Sequence, residues 1–326
     1  MLIPYFWAES RLQHKVPSRQ ITVRRWGWSD ISQADAQLLA DQRAQEAMAR
    51  INSGEKLRRR EPKAAYDAAD GVPIREEVVS RHGDAAITRN CYGSLCLNTP
   101  NVLFADIDAP PQGELQMSLR GCLLLIVASV AAGVLMKSAW AGLGLAFGIR
   151  ILATLILDVI NKRRLPRAAA QAKERATAAI HAFAASHPDW HLRVYETPAG
   201  YRLLAMHDVF DPAGDAVKEA MEALNADQMF VRLCVMQRCF RARVSPKYWR
   251  MKYRQPHAFP KAKWPFRPEH VLLRQKWIEA YDRHSSQYSS CRFIAALGSH
   301  AVHPEAEQVC AVHDAYCQVH SDLPLA

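Results

Sequence analysis

Residues 121–157 read GCLLLIVASVAAGVLMKSAWAGLGLAFGIRILATLIL, and Lys137 and Arg150 are the only charged side chains among them. The first apolar run, Cys122–Met136, meets Lys137-Ser138; a second continues from Ala139 to Leu157, broken only by Arg150. A membrane-crossing helix takes about 20 apolar residues. The first run is slightly short and the second is about right. Gly133, Gly142, Gly144 and Gly148 suit close helix contact in lipid, where small residues let backbones approach. The stretch is therefore expected to form a two-helix transmembrane hairpin over 119–161. The competing reading is a helical hairpin buried in a soluble core. Arg120 precedes the block, and Lys162, Arg163, Arg164 and Arg167 follow it. The positive-inside rule then puts both flanks, and both termini, on the cytoplasmic side of an inner membrane. Being internal, the block does not read as a signal peptide.

Outward from this block, residues 1–118 and 162–326 read as two parts of one cytoplasmic α+β domain, with a mixed or antiparallel sheet and flanking helices. The inserted hairpin is expected to leave that sheet intact, because chain ends that lie close together tolerate insertion. Residues 1–28, with Trp7, Trp26 and Trp28, read as strands and loops. Gln33–Ile51 is rich in helix formers behind the N-cap candidates Ser29, Asp30 and Ser32. Residues 52–64 read as a charged linker, and Ile74–Val79 is ambiguous. Thr88–Leu97 reads as a strand or hairpin, and Val102–Ala105 as an apolar strand ending in Asp106-Ile107-Asp108, before the stop at Pro110-Pro111. Residues 167–186 predict a helix. Leu192–Tyr195 and Tyr201–Met206 predict two strands around a Pro/Gly turn. Helices are expected over Asp211–Leu224, Pro268–Asp282 and Glu305–Val319. Phe230–Val244 fits a strand pair or a helix.

The 326 residues carry a net charge of +10. A balance of 49% hydrophobic and 23% charged residues excludes a disordered chain, a collagen-like repeat and a polytopic transporter. Residues 228–268 carry 11 basic and no acidic side chains. Eight cysteines in a chain of this length read as reduced thiols rather than a disulfide framework. Cys310, His313, Cys317 and His320 have metal-like spacing. On a helix one ion reaches only one of the two Cys/His pairs, so this segment is read as an amphipathic helix face rather than a zinc site.

Three constellations carry chemistry. Asp106 and Asp108 stand two apart on a strand and so share a face. A divalent cation relieves the repulsion of such a pair, and Mg²⁺ is typically held by one or two carboxylates plus substrate phosphates. The alternative is a solvated strand end. The turn at Thr197–Arg202, TPAGYR, brings Thr197, Gly200 and Arg202 where a phosphate can approach, unless it is an ordinary hairpin. In residues 228–268 the basic side chains interleave with Phe230, Phe240, Tyr248, Trp249, Tyr253, Phe259, Trp264 and Phe266. Cations neutralise phosphates and aromatic faces stack on bases, as in single-strand binding. Anionic lipid or simple solvation accounts for the same charge. Arg241 and Arg243 share a face if the segment is a strand. No P-loop, GxGxxG, GxSxG or HExxH motif occurs.

Three of these pieces, in order, resemble the catalytic core of archaeo-eukaryotic-type primases and primase-polymerases. VLFADID (Val102–Asp108) is similar to that family's strand and DxD metal motif. VYETPAGYRLL (Val194–Leu204) is similar to its S/T-x-G-x-H hairpin, with Thr197 and Gly200 in place and Arg202 where the family has His. Asp227, followed by Val231-Arg232-Leu233 and later Pro246-Lys247, is similar to its third acidic position and RLP…K segment. The resemblance spans about 60 residues in scattered motifs. It implies Mg²⁺ or Mn²⁺ on Asp106, Asp108 and Asp227, Asp106, Asp108 and Arg202 as catalytic residues, and phosphate contacts from Thr197 and Gly200; Arg241, Arg243 and Lys247 of the basic segment are expected to steer the polyanion. It implies nucleotidyl or phosphoryl transfer on a nucleotide or nucleic acid, or a degenerate member that binds without reacting. The rival expectation is a non-enzymatic membrane protein whose basic patch docks anionic lipid or a protein partner.

Overall fold

The computed structural model describes residues 1–16, 19–60, 73–110, 118–255 and 264–326. The end of the charged linker, Pro111 and Phe259 lie outside them. The chain forms two compact units, one built from Met1–Asp108 together with Ala179–Ala326 and the other from Ala109–Ala178.

The first unit begins with a long antiparallel hairpin, β1 (Phe6–Val16) on β2 (Arg19–Ser29), with Phe6 opposite Ser29. Helix α1 (Gln33–Asn52) packs on it. Ser32 caps α1, its Oγ accepting from the Asp35 amide at 3.0 Å. Ala36, Ala40 and Ala44 are fully buried at period-four spacing, a flat face that lets the helix backbone meet the strand. The contact is so close that a Cβ on Gly27 would lie 2.2 Å from the Ala36 carbonyl and the Ala40 amide. Trp7 is buried beneath Trp26 and Trp28, with ring centroids 6.4 and 5.7 Å away.

Two four-stranded antiparallel sheets follow. One orders β3 (Glu77–His82), β4 (Ala85–Arg89), β5 (Leu95–Thr99) and β9 (Phe240–Arg243). The other orders β10 (Arg292–Gly298), β7 (His191–Thr197), β8 (Gly200–Ala205) and β6 (Phe104–Asp108). In each sheet a strand from before residue 109 pairs with one from after residue 178: β5 with β9, and β6 with β8. The α+β class with antiparallel sheets and flanking helices is therefore as expected. Helices α4 (Asp215–Ala223), α5 (Gln228–Gln237), α6 (Pro268–Ser285) and α7 (Pro304–Cys317) complete the unit. Residues 230–244, ambiguous in sequence, divide at Arg238, whose φ of 49° ends α5 and starts the turn into β9. Strand β10, a short apolar run without alternation, was not anticipated.

In the second unit, α2 (Leu119–Leu135) turns at Lys137, where φ is 48°, into α3 (Ala139–Ser186). Ser138 N donates to Gly133 O at 3.0 Å, and a Cβ on Gly142 would lie 2.5 Å from Ser129 O. Gly133 and Gly142 thus serve close backbone contact near the turn, whereas a Cβ on Gly144 or Gly148 would meet nothing within 4 Å. The large side chains are outward: Leu124, Val134, Trp140 and Phe147 are between 67% and 84% exposed. A hairpin buried in a soluble core is not what these residues form. Among the described residues only α3 is long and apolar enough to cross a membrane; the apolar part of α2, Gly121–Leu135, is shorter. Nor does the helix end at 161: it runs on past Pro166 to Ser186.

Candidate phosphate and metal site

The antiparallel register of β6 and β8 sets Asp106 opposite Arg202 and Asp108 opposite Gly200. Cross-strand neighbours on one face lie within side-chain reach. The Arg202 guanidinium closes a bidentate pair on Asp106, with Nε to Oδ1 at 2.7 Å and Nη2 to Oδ2 at 3.2 Å. Its Nη1 donates to the Arg243 carbonyl at 2.8 Å, tying the β6–β8 sheet to β9. Arg202 is only 4% exposed. Burial opposes its charge, and the adjacent Asp106 carboxylate outweighs burial and raises its pKa. Where the resembled family has a His, this chain has a guanidinium whose nitrogens are committed within the protein. The guanidinium holds Asp106 in place.

The Asp106 main chain also fixes Asp227. Asp227 N donates to Asp106 O at 3.0 Å, and the Asp227 carboxylate caps α5 by accepting from Met229 N at 3.0 Å. Asp106, Asp108 and Asp227 thereby line one cavity of about 210 Å³, and Thr197, Arg202, Arg241, Arg243, Lys247 and Arg250 line it too. Residues from four separate stretches of the chain meet there. Asp108 reaches solvent, yet partial burial and then the Asp106 and Asp227 charges push its pKa up, against the pull of Lys247 and Arg250. Partial burial, then Arg243 and Arg250, push Lys247 down to about 8, with Asp108 and Asp106 opposing. Burial and Arg243 likewise lower Arg250. The cavity thus sets Asp108, a carboxylate held above its usual range, against crowded cations. Arg250 carries no family motif, and charge count alone singled out only the segment that contains it.

Other expected contacts fall out differently. Thr197 Oγ1 accepts from the Ala199 and Gly200 amides at 3.3 and 3.1 Å, so it builds the two-residue turn between β7 and β8. Arg241 and Arg243 do share a face of β9, with Phe240 and Ala242 buried behind it. Arg241 Nη2, however, is bound to the buried Glu76 carboxylate at 2.7 and 2.6 Å, so the residue is not a mobile steering charge. Its Nη1 is buried without a hydrogen-bond partner. The aromatic interleaving is mostly core. Phe240 is fully buried, Tyr248 and Tyr253 pack against Met251, Trp277 and Tyr281, and Trp264 and Phe266 pack edge to face. Phe230 lines the cavity, and Trp249 is 52% exposed. Among the described residues of 228–268, these two rings are the ones left for a stacking platform.

All eight cysteines are free thiols. Among the described residues, the one group of three His, Cys, Asp or Glu ligand atoms within 4.8 Å of one another is Cys291, His313 and Cys317. The three aspartates do not converge that tightly. Cys310 and His320, which share the metal-like spacing, are elsewhere: Cys310 faces Tyr195 and Asp314, and His320 is largely exposed.

No known family, curated protein or solved structure matches the chain.

Proposed function

We propose that the cavity binds the phosphates of a nucleotide or nucleic acid together with a divalent cation, on a domain held at the membrane by α3. The observation that carries this is the juxtaposition of Asp106, Asp108 and Asp227 with Arg243, Lys247 and Arg250 around one cavity. Carboxylates alone attract cations and basic groups alone attract anions. The two together suit a metal–phosphate complex, in which Mg²⁺ or Mn²⁺ takes one or two carboxylates and completes its shell with phosphate oxygens and water. Asp108 is the best ligand candidate: it lines the cavity with no cation of the described residues closed on its carboxylate, and partial burial, then the Asp106 and Asp227 charges, disfavour its bare anion, which a cation would stabilise. Asp106, oriented by Arg202, is the second, and Asp227 lies beside them. Lys247 and Arg250 contact the phosphates, with Arg243 behind them. The resemblance to primase-polymerase cores supports the same assignment and extends it to nucleotidyl or phosphoryl transfer, in which positioning and charge stabilisation do most of the work. The exposed apolar side chains of α3 support membrane insertion, since such a surface is unfavourable in water. The basic residues flanking the apolar block favour a cytoplasmic-facing domain at the inner membrane.

The test is calorimetric titration of detergent-solubilised protein with Mn²⁺, alone and with a nucleoside triphosphate. Saturable Mn²⁺ binding that the triphosphate strengthens, and that Asp106→Asn/Asp108→Asn abolishes, supports the reading. Equal binding in parent and variant, or none in either, removes it. The exposed Trp249 beside Lys247, ring centroid to Nζ 5.6 Å, favours a second reading, in which the basic face docks anionic lipid. That reading predicts binding to phosphatidylserine vesicles that is indifferent to the aspartate substitutions and requires no metal.

A further inference from the structure

Behind Arg202, on the side away from Asp106, lies a cluster that plays no part in the site above. Cys291 enters β10, while His313 and Cys317 stand four apart on α7 and so share one helix face. All three side chains are fully buried. Cys291 Sγ is 3.7 Å from His313 Nε2, and the three potential donor atoms lie within 4.8 Å of one another. His313 is also held from behind. Its Nδ1 is 2.9 Å from Asp314 Oδ1, and that carboxylate accepts from the Tyr195 hydroxyl at 2.8 Å and from Arg193 Nη2 at 2.7 Å. With its proton on Nδ1 toward the carboxylate, the imidazole turns the Nε2 lone pair to the two sulfurs. A carboxylate behind a histidine is the usual outer support of a metal-bound imidazole, fixing both tautomer and ring orientation. The other contact of Nε2 is a 3.4 Å approach from Arg202 Nη1, whose shorter bond goes to the Arg243 carbonyl.

We propose that Cys291, His313 and Cys317 bind a thiophilic d¹⁰ cation, Zn²⁺ or Cu⁺, through two thiolates and the neutral Nε2. Two soft thiolates and an imidazole in a fully buried cluster match these ions, and Mg²⁺ and Mn²⁺ prefer oxygen donors. On binding, the cluster releases two protons in all, leaving two thiolates and a neutral imidazole on the ion. Two thiolates balance Zn²⁺. With Cu⁺ they leave one negative charge, beside which the Arg202 guanidinium already stands. The ion joins β10 to α7 and forms the wall against which Arg202 holds Asp106.

The experiment uses full-length protein purified in detergent without chelators. Metal content is measured by plasma mass spectrometry, then uptake of Zn²⁺ and of Cu⁺ by the reduced, metal-stripped protein. One equivalent in the parent and in Cys310→Ser, absent from Cys291→Ser/Cys317→Ser, is the expected result, and the element found distinguishes the two ions. Because the double variant can fail to fold, the parent is also alkylated with and without its metal, and modification is read peptide by peptide. Protection of Cys291 and Cys317 that is lost on chelation supports the site; Cys310 serves as the internal reference. X-ray absorption on the loaded parent is expected to show metal–sulfur distances of about 2.3 Å. A reduced parent that takes up neither ion overturns the proposal. So does a Cys291–Cys317 disulfide in protein that carries no metal and regains no uptake on reduction, or metal content unchanged in a folded double variant.

Discussion

Lys247→Met is expected to make the protein more stable and a poorer polyanion binder at once. Lys247 stands in a cationic corner with Arg243 and Arg250, and Asp108 and Asp106 only partly offset it. Partial burial is the larger cause of its fall from 10.5 to about 8, and the two arginines add to it. The sign follows from proton linkage. Between pH 8 and 10.5 the unfolded chain holds a proton that the folded chain has lost, so stability rises with pH through that window. Below pH 8 the whole penalty is present. At about 1.4 kcal/mol per unit the shift amounts to roughly 3 kcal/mol. Solvent screening at a half-exposed group reduces that to about 1–2 kcal/mol. Methionine keeps most of the stem and removes the charge. For a domain of this size each kcal/mol moves Tm by about 2–4 °C, so the variant should melt about 2–8 °C higher at pH 7. The gain should shrink toward zero by pH 10, where the parent lysine is already neutral in the folded state. Differential scanning fluorimetry of both proteins in detergent, across pH 7 to 10, measures this. Adding Mn²⁺ with tripolyphosphate should raise the Tm of the parent more than that of the variant, because only the parent regains its proton next to phosphate. A variant that melts at or below the parent at pH 7 refutes the reasoning. A gain of the same size at both ends of the pH range does so as well.

Arg202→Met leaves the Asp106 carboxylate without its guanidinium. Losing one member of a largely buried pair should cost about 3 kcal/mol and lower Tm by about 6–12 °C. Adding Asp106→Asn should recover part of that loss, and strict additivity in the double variant would show that the pair is not coupled. Gly27→Ala forces a methyl group onto the α1 backbone, and overpacking of this kind should cost about 1–3 kcal/mol, read as a lower Tm with α1 more open to hydrogen exchange. Wild-type exchange protection in that variant would mean that α1 and β2 are not in backbone contact.

Local order along this chain was legible before any tertiary structure, because it rests on short-range physics. Ser32 ahead of a run of helix formers predicts α1 almost to the residue. The Pro-Ala turn predicts the β7–β8 hairpin, and an apolar stretch charged only at Lys137 and Arg150 predicts helix on either side of Lys137. The DxD pair on one strand face and the acid-free segment 228–268 are local signals too, and both reach the cavity. Whether an aromatic in that segment faces a base or the core is decided by what packs over it, and α6 covers Tyr248 and Tyr253 through Trp277 and Tyr281. That Arg202 serves Asp106, and Arg241 serves Glu76, depends on strand register and on a contact 165 residues apart in sequence. The spacing of Cys310, His313, Cys317 and His320 predicts a choice of one Cys/His pair on a helix. The structure uses neither pair: His313 and Cys317, one from each, share a face of α7 and meet Cys291, which lies just before β10. Helix and strand periodicity says which side chains share a face, and the fold alone says what that face meets.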